Sequence, residues 1–272
     1  MPEGDLIKRT DDGPATVESL HRDLAQLGVE PGMTLLVHSS LGSLGWVCGG
    51  ATAVILALEN ALGDAGTLVM PTHSTQLSDP SQWQAPPVPQ DWWPVIREHM
   101  PAFRPDLTPT RGMGAIPETF RKQHRVLRSD HPHHSFAARG PNAEIIVGEH
   151  ALHNGLGEGS PLARVYDLDG WVLLLGVGHD SSTSLHLAEY RASFPGRQEA
   201  TDGAPIWVDG ERQWVEVCGL DLNDDDFATI GAAFARETDH VRRGKIAQAD
   251  ALLMPQRALV DFAVDWMEAN RS

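Results

Sequence analysis

"EPGMTLLVHSSLGSLGWVCGGATAVILALENALGDAGTLVMPTHS", residues 30–74, contains two short apolar runs with a glycine- and serine-rich turn and a longer apolar segment between them. Residues 34–38 and 67–70 read as strands, because they are short, rich in Leu and Val, and bounded by turn residues. Residues 51–62 are long enough for a helix, and "GDAG" ends it. Neither strand alternates apolar with polar residues, which is the pattern of a strand covered on both faces. The unit is therefore expected to be a β-α-β crossover with a parallel strand pair.

Working outward, "ATVESLHRDLAQLG" (15–28) repeats Val17, Leu20, Leu24 and Leu27 at helical spacing, with Thr16 placed to cap the start and Gly28 the end. Short helices are expected at 92–99, 115–123, 142–150 and 161–167, then a strand at 171–177 and a helix from about Ser182. "APIWVDGERQWVEV" alternates on both sides of Asp209-Gly210, a two-residue hairpin signal. "DLNDDDFATIGAAFAR" opens a helix on its aspartates, and "QRALVDFAVDWMEAN" is a last amphipathic helix. Residues 79–110 hold eight of the 19 prolines and three of the eight tryptophans, an excursion longer than an ordinary connection. The expectation is one domain over 1–272: a central mixed, largely parallel sheet flanked by helices, an added β-hairpin, and an ordered proline/tryptophan insert at 79–110.

The formal charge of −16 argues against a nucleic-acid surface and against an anionic membrane, and it permits a cationic partner. Cys48 and Cys218 form no CxxC pair, so neither a disulfide framework nor a thiolate metal site is suggested, and a reducing cytoplasm fits. No signal region and no apolar run of membrane-spanning length is visible.

Three stretches contain residues suited to chemistry. "VHSSLGSLGWVCGG" (37–50) offers small residues and backbone amides between strand and helix, as a phosphate cradle does. It matches neither GxxxxGK[ST] nor GxGxxG, and a tight connection without ligand fits it as well. "RSDHPHHSFAARG" (128–140) contains His131, His133 and His134, but Pro132 opposes a helix and no acidic partner stands at ligand spacing. A structural turn, a site lining and a metal site all remain open there. In "LLLGVGHDSSTSLHLAE" (173–189), a helix capped by Ser182 or Thr183 would put His186 in its first turn and Glu189 one turn on, on the same face. Such a carboxylate fixes one imidazole tautomer and frees the other nitrogen as a general base. A buried, satisfied histidine beside a solvated carboxylate fits the same spacing.

Taken together, "LLVHSSLGSLG" (35–45), "GTLVMPTHS" (66–74), "TPTRGMGAIPETFR" (108–121), "RSDHPHHSFAARG" (128–140), "GSPLARVYDLDGWVLLLGVG" (159–178) and "TSLHLAEYRA" (183–192) resemble, in that order, the aminoglycoside 3-N-acetyltransferase family. This is the coenzyme A-dependent antibiotic N-acetyltransferase family, distinct from the GNAT enzymes. The resemblance spans about residues 30–195. It implies that family's α/β fold, acetyl-CoA as donor without a metal, and transfer to the 3-amino group of a 2-deoxystreptamine ring. His186 would be the base, oriented by Glu189, with His38 close to the thioester. His38, Ser39, Ser40, Leu41 and Gly42 would line the coenzyme channel, Thr110, Arg111, Met113 and Gly114 would face the pantetheine arm, and Ser160 would close that side.

A polycationic acceptor needs carboxylates, and an ammonium must lose a proton before it attacks. Asp79, Asp180 and Glu189 are the expected acceptor carboxylates, with His131 and Trp83 beside them and tryptophans of 83–93 stacking under sugar rings. Partners are then a small-molecule aminoglycoside and coenzyme A, with no nucleic acid or membrane, in a cytoplasmic monomer or homodimer. A family member acting on another amine, and a non-catalytic binder of cationic drugs, are the other readings. A binder has no use for an imidazole held in one tautomer.

Overall fold

The computed structural model describes residues 3–10 and 13–272. In chain order its helices are α1 (Glu3–Lys8), α2 (Val17–Leu27), α3 (Gly50–Leu62), α4 (Trp93–His99), α5 (Ala115–Phe120), α6 (Ala143–Val147), α7 (Pro161–Asp167), α8 (Ser184–Arg191), α9 (Phe227–Glu237) and α10 (Gln256–Asn270). Its strands are β1 (Thr34–Ser39), β2 (Thr67–Pro71), β3 (Leu127–Arg128), β4 (Phe136–Arg139), β5 (Trp171–Leu175), β6 (Glu199–Val208), β7 (Glu211–Leu220), β8 (Arg242–Ile246) and β9 (Ala249–Pro255).

Seven strands form one sheet in the order β3-β4-β2-β1-β5-β9-β8, and β6-β7 form a separate ribbon. The expected mixed sheet is present, but its parallel part is confined to the centre, where β1 pairs with β2 and with β5. The four outer pairings, β2–β4, β3–β4, β5–β9 and β8–β9, are antiparallel and outnumber the parallel ones. The reason is that β4 and β9 enter the sheet from loops and short hairpins rather than through crossover helices.

Alternate residues of the central strands feed two cores. Leu35, Val37, Leu68, Met70, Leu173 and Leu175 pack with Leu20, Leu24, Val54 and Leu58 of α2 and α3. Leu36, Val69, Val172 and Leu174 pack on the other face with Leu162, Leu185, Phe227, Leu259 and Val260 of α7 to α10. Coverage on both faces explains why these strands carry no polar alternation. At α2, the Ser19 N–H donates to Thr16 Oγ1 at 3.2 Å, the Thr16 N–H to Ser19 Oγ at 2.9 Å, and Gly28 closes the helix at φ 101°.

The β6-β7 turn has Asp209 at φ 51° and Gly210 at φ 82°, the left-handed pair that a two-residue hairpin favours. The 79–110 insert is tied to this ribbon. The Asp79 N–H donates to Asp202 Oδ1 at 2.7 Å, the Phe103 N–H to the Pro205 carbonyl at 2.9 Å, and the Arg212 guanidinium to the carbonyls of Met100 and Arg97. Among the described residues no helix is long and apolar enough to cross a membrane.

Candidate active site

β1 is flanked in parallel by β2 on one side and β5 on the other, and the carboxyl ends of the three strands open at one end of the sheet; in open α/β sheets such crevices bind ligands. A cavity of about 590 Å³ lies here, lined by residues 37–42 and 112–117 together with Pro71, Val177, Asp180, Ser181 and Thr183. It brings together seven of the residues expected on the coenzyme: His38, Ser39, Ser40, Leu41, Gly42, Met113 and Gly114. The buried hydroxyl of Ser39 has no partner within the protein.

Thr110, Arg111 and Ser160 are not on this lining. The Thr110 N–H and hydroxyl both donate to Glu118 Oε2 at 2.9 Å, so Thr110 anchors the start of α5. Arg111 has an exposed side chain and is held by its N–H, which donates to the His73 carbonyl at 2.9 Å. Ser160 is fully buried at the start of α7. Asp180, expected at the acceptor, is exposed on the 590 Å³ cavity instead, because its short helical turn follows β5 directly. Its neighbour His179 packs under α9 so closely that a Cβ on Gly231 would lie 2.1 Å from the imidazole Cγ. Burial pushes the His179 imidazole down to about 4.

α8 places the imidazole. Thr183 occupies the cap position at φ −60° without a side-chain cap bond, so the expected capping by Ser182 or Thr183 side chains is absent. Short-range bonds start the helix instead, from the Leu185 N–H to the Ser182 carbonyl and from the His186 N–H to the Thr183 carbonyl. The Thr183 hydroxyl lies 3.4 Å from His38 Nε2. One turn on, Glu189 Oε2 is 2.5 Å from His186 Nδ1. The Glu189 side chain is 3% exposed, and its Oε1 accepts from the Asn223 N–H at 3.1 Å and from Arg271 Nη1 at 2.7 Å. Both Glu189 oxygens are thus bonded within the protein, one of them to the His186 ring, and Glu189 lines a separate cavity of about 400 Å³ with Phe194, Asp221, Asp226 and Arg271. The His186 side chain is 17% exposed, its ring lies 4.8 Å from that of Phe227, and its second nitrogen, Nε2, is not used in the bond to Glu189.

A second cavity, of about 300 Å³, is lined by Thr75, Ser78, His133, His134, Tyr190, Asp202, Cys218 and neighbouring residues of β6 and β7. Its carboxylate is Asp202, which sequence reasoning passed over; the hairpin was legible, but not which of its side chains face a cavity. Asp79 is not on this lining. Burial opposes its charge, and the bonds from Arg97, at 2.8 Å to each oxygen, and from Ser81 outweigh that and hold the carboxyl at about 2. Trp83 is absent from the lining too, its indole N–H donating at 2.9 Å to the hydroxyl of Ser78, which is on it. His131 is fully buried and on neither lining, and its Nδ1 accepts from the N–H groups of His133 and His134 at 3.1 and 3.0 Å, tying the turn together.

His186 is on neither lining; it lies on α8 between Thr183, which lines the first cavity, and Tyr190, which lines the second, and its imidazole acts electrostatically on His38 and on His134. It acts as well on His73, beyond the end of β2, whose buried Nε2 has no partner. Burial first, and then the neighbouring imidazoles, push His38 and His73 down to about 3. Rings of His73, His131, His133, His134 and His150 touch in sequence, the nearest pair being His131 and His150 at 4.5 Å. Among the described residues no group of three His, Cys, Asp or Glu is arranged to hold a metal ion. His73 lies inside the 66–74 stretch with no signal of its own, Thr183 is expected only as a helix cap, and Arg271 and Asn223 carry no local signal.

Residues 36–268 match the family of aminoglycoside 3-N-acetyltransferases. The SPbeta prophage-derived aminoglycoside N(3')-acetyltransferase-like protein YokD of Bacillus subtilis (strain 168) is 48% identical over 260 residues, covering 95% of this chain and 94% of that protein. The crystal structure of the YokD protein superposes with a TM-score of 0.95 at 46% identity, over 98% of each chain. The acetyltransferase AAC-IIIb, solved with CoASH, gives 0.84 at 33% identity over 94% of this chain and 97% of its own. AAC-VIa bound to sisomicin gives 0.84 at 31% identity over 94% and 98%.

Proposed function

Because the chain belongs to the aminoglycoside 3-N-acetyltransferase family, we propose that it transfers the acetyl group of acetyl-CoA to the 3-amino group of the 2-deoxystreptamine ring of an aminoglycoside, by general-base catalysis. The observation that carries this reading is the carboxylate-held imidazole of His186 on a helix whose Thr183 lines a glycine- and serine-rich cavity and whose Tyr190 lines a second cavity bearing Asp202.

The 590 Å³ cavity suits a coenzyme arm: the unpartnered Ser39 hydroxyl, the backbone of 38–42 and the glycines at 112 and 114 offer close approach and hydrogen bonds. When bound there, acetyl-CoA supplies an acetyl group activated as a thioester. Asp202 attracts the cationic acceptor into the other cavity. His186 Nε2 takes the proton the amine loses as its nitrogen bonds to the acetyl carbon; the carbon–sulfur bond breaks and coenzyme A leaves, taking up a proton as the thiol. Glu189, bonded to Nδ1, fixes the tautomer and stabilises the imidazolium while it holds the proton. Neutral His38 and Thr183 shape the thioester side without charge. The product amide carries no positive charge, so the drug loses one of the cations through which it binds its target.

The test is coenzyme A release with sisomicin, gentamicin and a simple amine as acceptors, followed by NMR of the product. Release with the aminoglycosides and acetylation at the 3-amino group are expected. Release with the simple amine alone, or acetylation at another nitrogen, would contradict the proposal.

A further inference from the structure

Arg271, just past α10, is the hub of the contacts behind Glu189. Its Nη1 donates to Glu189 Oε1 at 2.7 Å, its Nε and Nη2 hold Asp226 in a bidentate pair at 2.8 and 2.7 Å, and Nη2 also donates to the Asn223 carbonyl at 3.0 Å. The guanidinium side chain is 12% exposed and lies 5.0 Å from the centre of the Phe194 ring. Asp226 sits at the start of α9 without capping it, so its carboxylate serves Arg271 instead. The result is a row of alternating groups, His186, Glu189, Arg271 and Asp226, running from the cavities to the protein exterior.

Such a row has a chemical consequence. A buried carboxylate whose only partner is an imidazole holds that imidazole as the cation, because an uncompensated buried charge is costly. An imidazole already protonated cannot accept a proton from an amine. A guanidinium on the other carboxylate oxygen weakens that hold, and the fork it makes with Asp226 fixes the Nη1 that reaches Glu189. The other charged or titratable groups acting with His186 are His38 from β1, His73 beyond β2 and His134 from the loop before β4; burial keeps all three neutral.

We infer that Arg271 is a positioning residue for the reaction: through Glu189 it sets the proton affinity of His186, and Asp226 tunes it in turn. This rests on the base assignment to His186. Removing the guanidinium charge lets Glu189 hold the imidazolium more firmly, so Arg271→Gln moves the acid limb of the kcat/KM profile up by roughly one pH unit. Asp226→Asn removes the charge that offsets Arg271 and moves the limb the other way. Arg271→Lys keeps the charge and leaves the limb near the parent position even where kcat falls. A purely structural role would lower kcat in all three without moving any limb.

The decisive experiment follows the His186 ring by NMR titration in the full-length parent and the three variants, alongside the pH–rate profiles. Opposite displacements in Arg271→Gln and Asp226→Asn are expected. A midpoint that stays fixed, or falls, in Arg271→Gln overturns the inference, and the NMR readout decides this whether or not the variant turns over. Near-parental turnover in His186→Ala would instead overturn the base assignment, so the two failures are distinguishable.

Discussion

His186 and the histidines of residues 131–134 sit at the same end of the sheet, in opposite surroundings. His186 has a buried carboxylate on its ring; His131 has only backbone N–H groups on its Nδ1. Burial without a carboxylate leaves an imidazole neutral, pushing His131 to about 2 and His150 to about 4. Under the proposed mechanism the same side chain would serve as proton carrier at His186 and as wall at His131.

The comparison breaks most directly at Glu189. Glu189→Gln is expected to lower kcat by about 10²-fold while acetyl-CoA binding, followed by calorimetry, stays at the parent value. A kcat close to that of the parent would leave His186 no different from its neighbours.

The neutral histidines make the second prediction. Their folded values lie below the ordinary 6.5, so the unfolded chain takes up more protons as pH falls, and stability is lost on going down from about 6.5 through the folded values. For His150, near 4, the loss is on the order of 3 kcal/mol across that window. Urea midpoints should fall over that range, and His150→Gln should flatten the fall; an unchanged slope would show that burial there costs the charged form nothing.

Smaller effects separate the two carboxylates of the ribbon side. Asp202→Asn should raise the KM for sisomicin about tenfold with kcat little changed. Asp79→Asn should leave that KM within about twofold, because its carboxylate is already committed to Arg97. Arg97 is 39% exposed, so the lost pair is worth about 1 kcal/mol after screening and lowers Tm by about 2 °C. Equal KM effects in the two variants would erase the distinction between them.

Much of this was legible in the sequence wherever the signal is local. Strands β1 and β2 with α3, the Thr16 and Gly28 caps, the Asp209-Gly210 turn and the i,i+3 pair of His186 and Glu189 all lie within one period or one turn of their cues. The β8–β9 hairpin was not legible, because its turn places Ala247 at φ 49° and contains no Asn-Gly or Asp-Gly. β3 and β4, of two and four residues, are too short to show a period. In the site, Arg271 reaches Glu189 from 82 positions away, and Arg97 takes the Asp79 carboxylate from 18. Spacing holds no record of such encounters. Asp79 therefore looks like a free acid in the sequence and is a committed one in the fold, and the second oxygen of Glu189 is taken by a residue its spacing does not announce.

The central claim is that His186 accepts the amine proton. The most direct measurement is coenzyme A release by His186→Ala with sisomicin, with acetyl-CoA affinity measured on the same preparation. The account predicts a turnover loss of at least about 10²-fold with coenzyme affinity preserved; turnover near the parent rate with normal binding would contradict it.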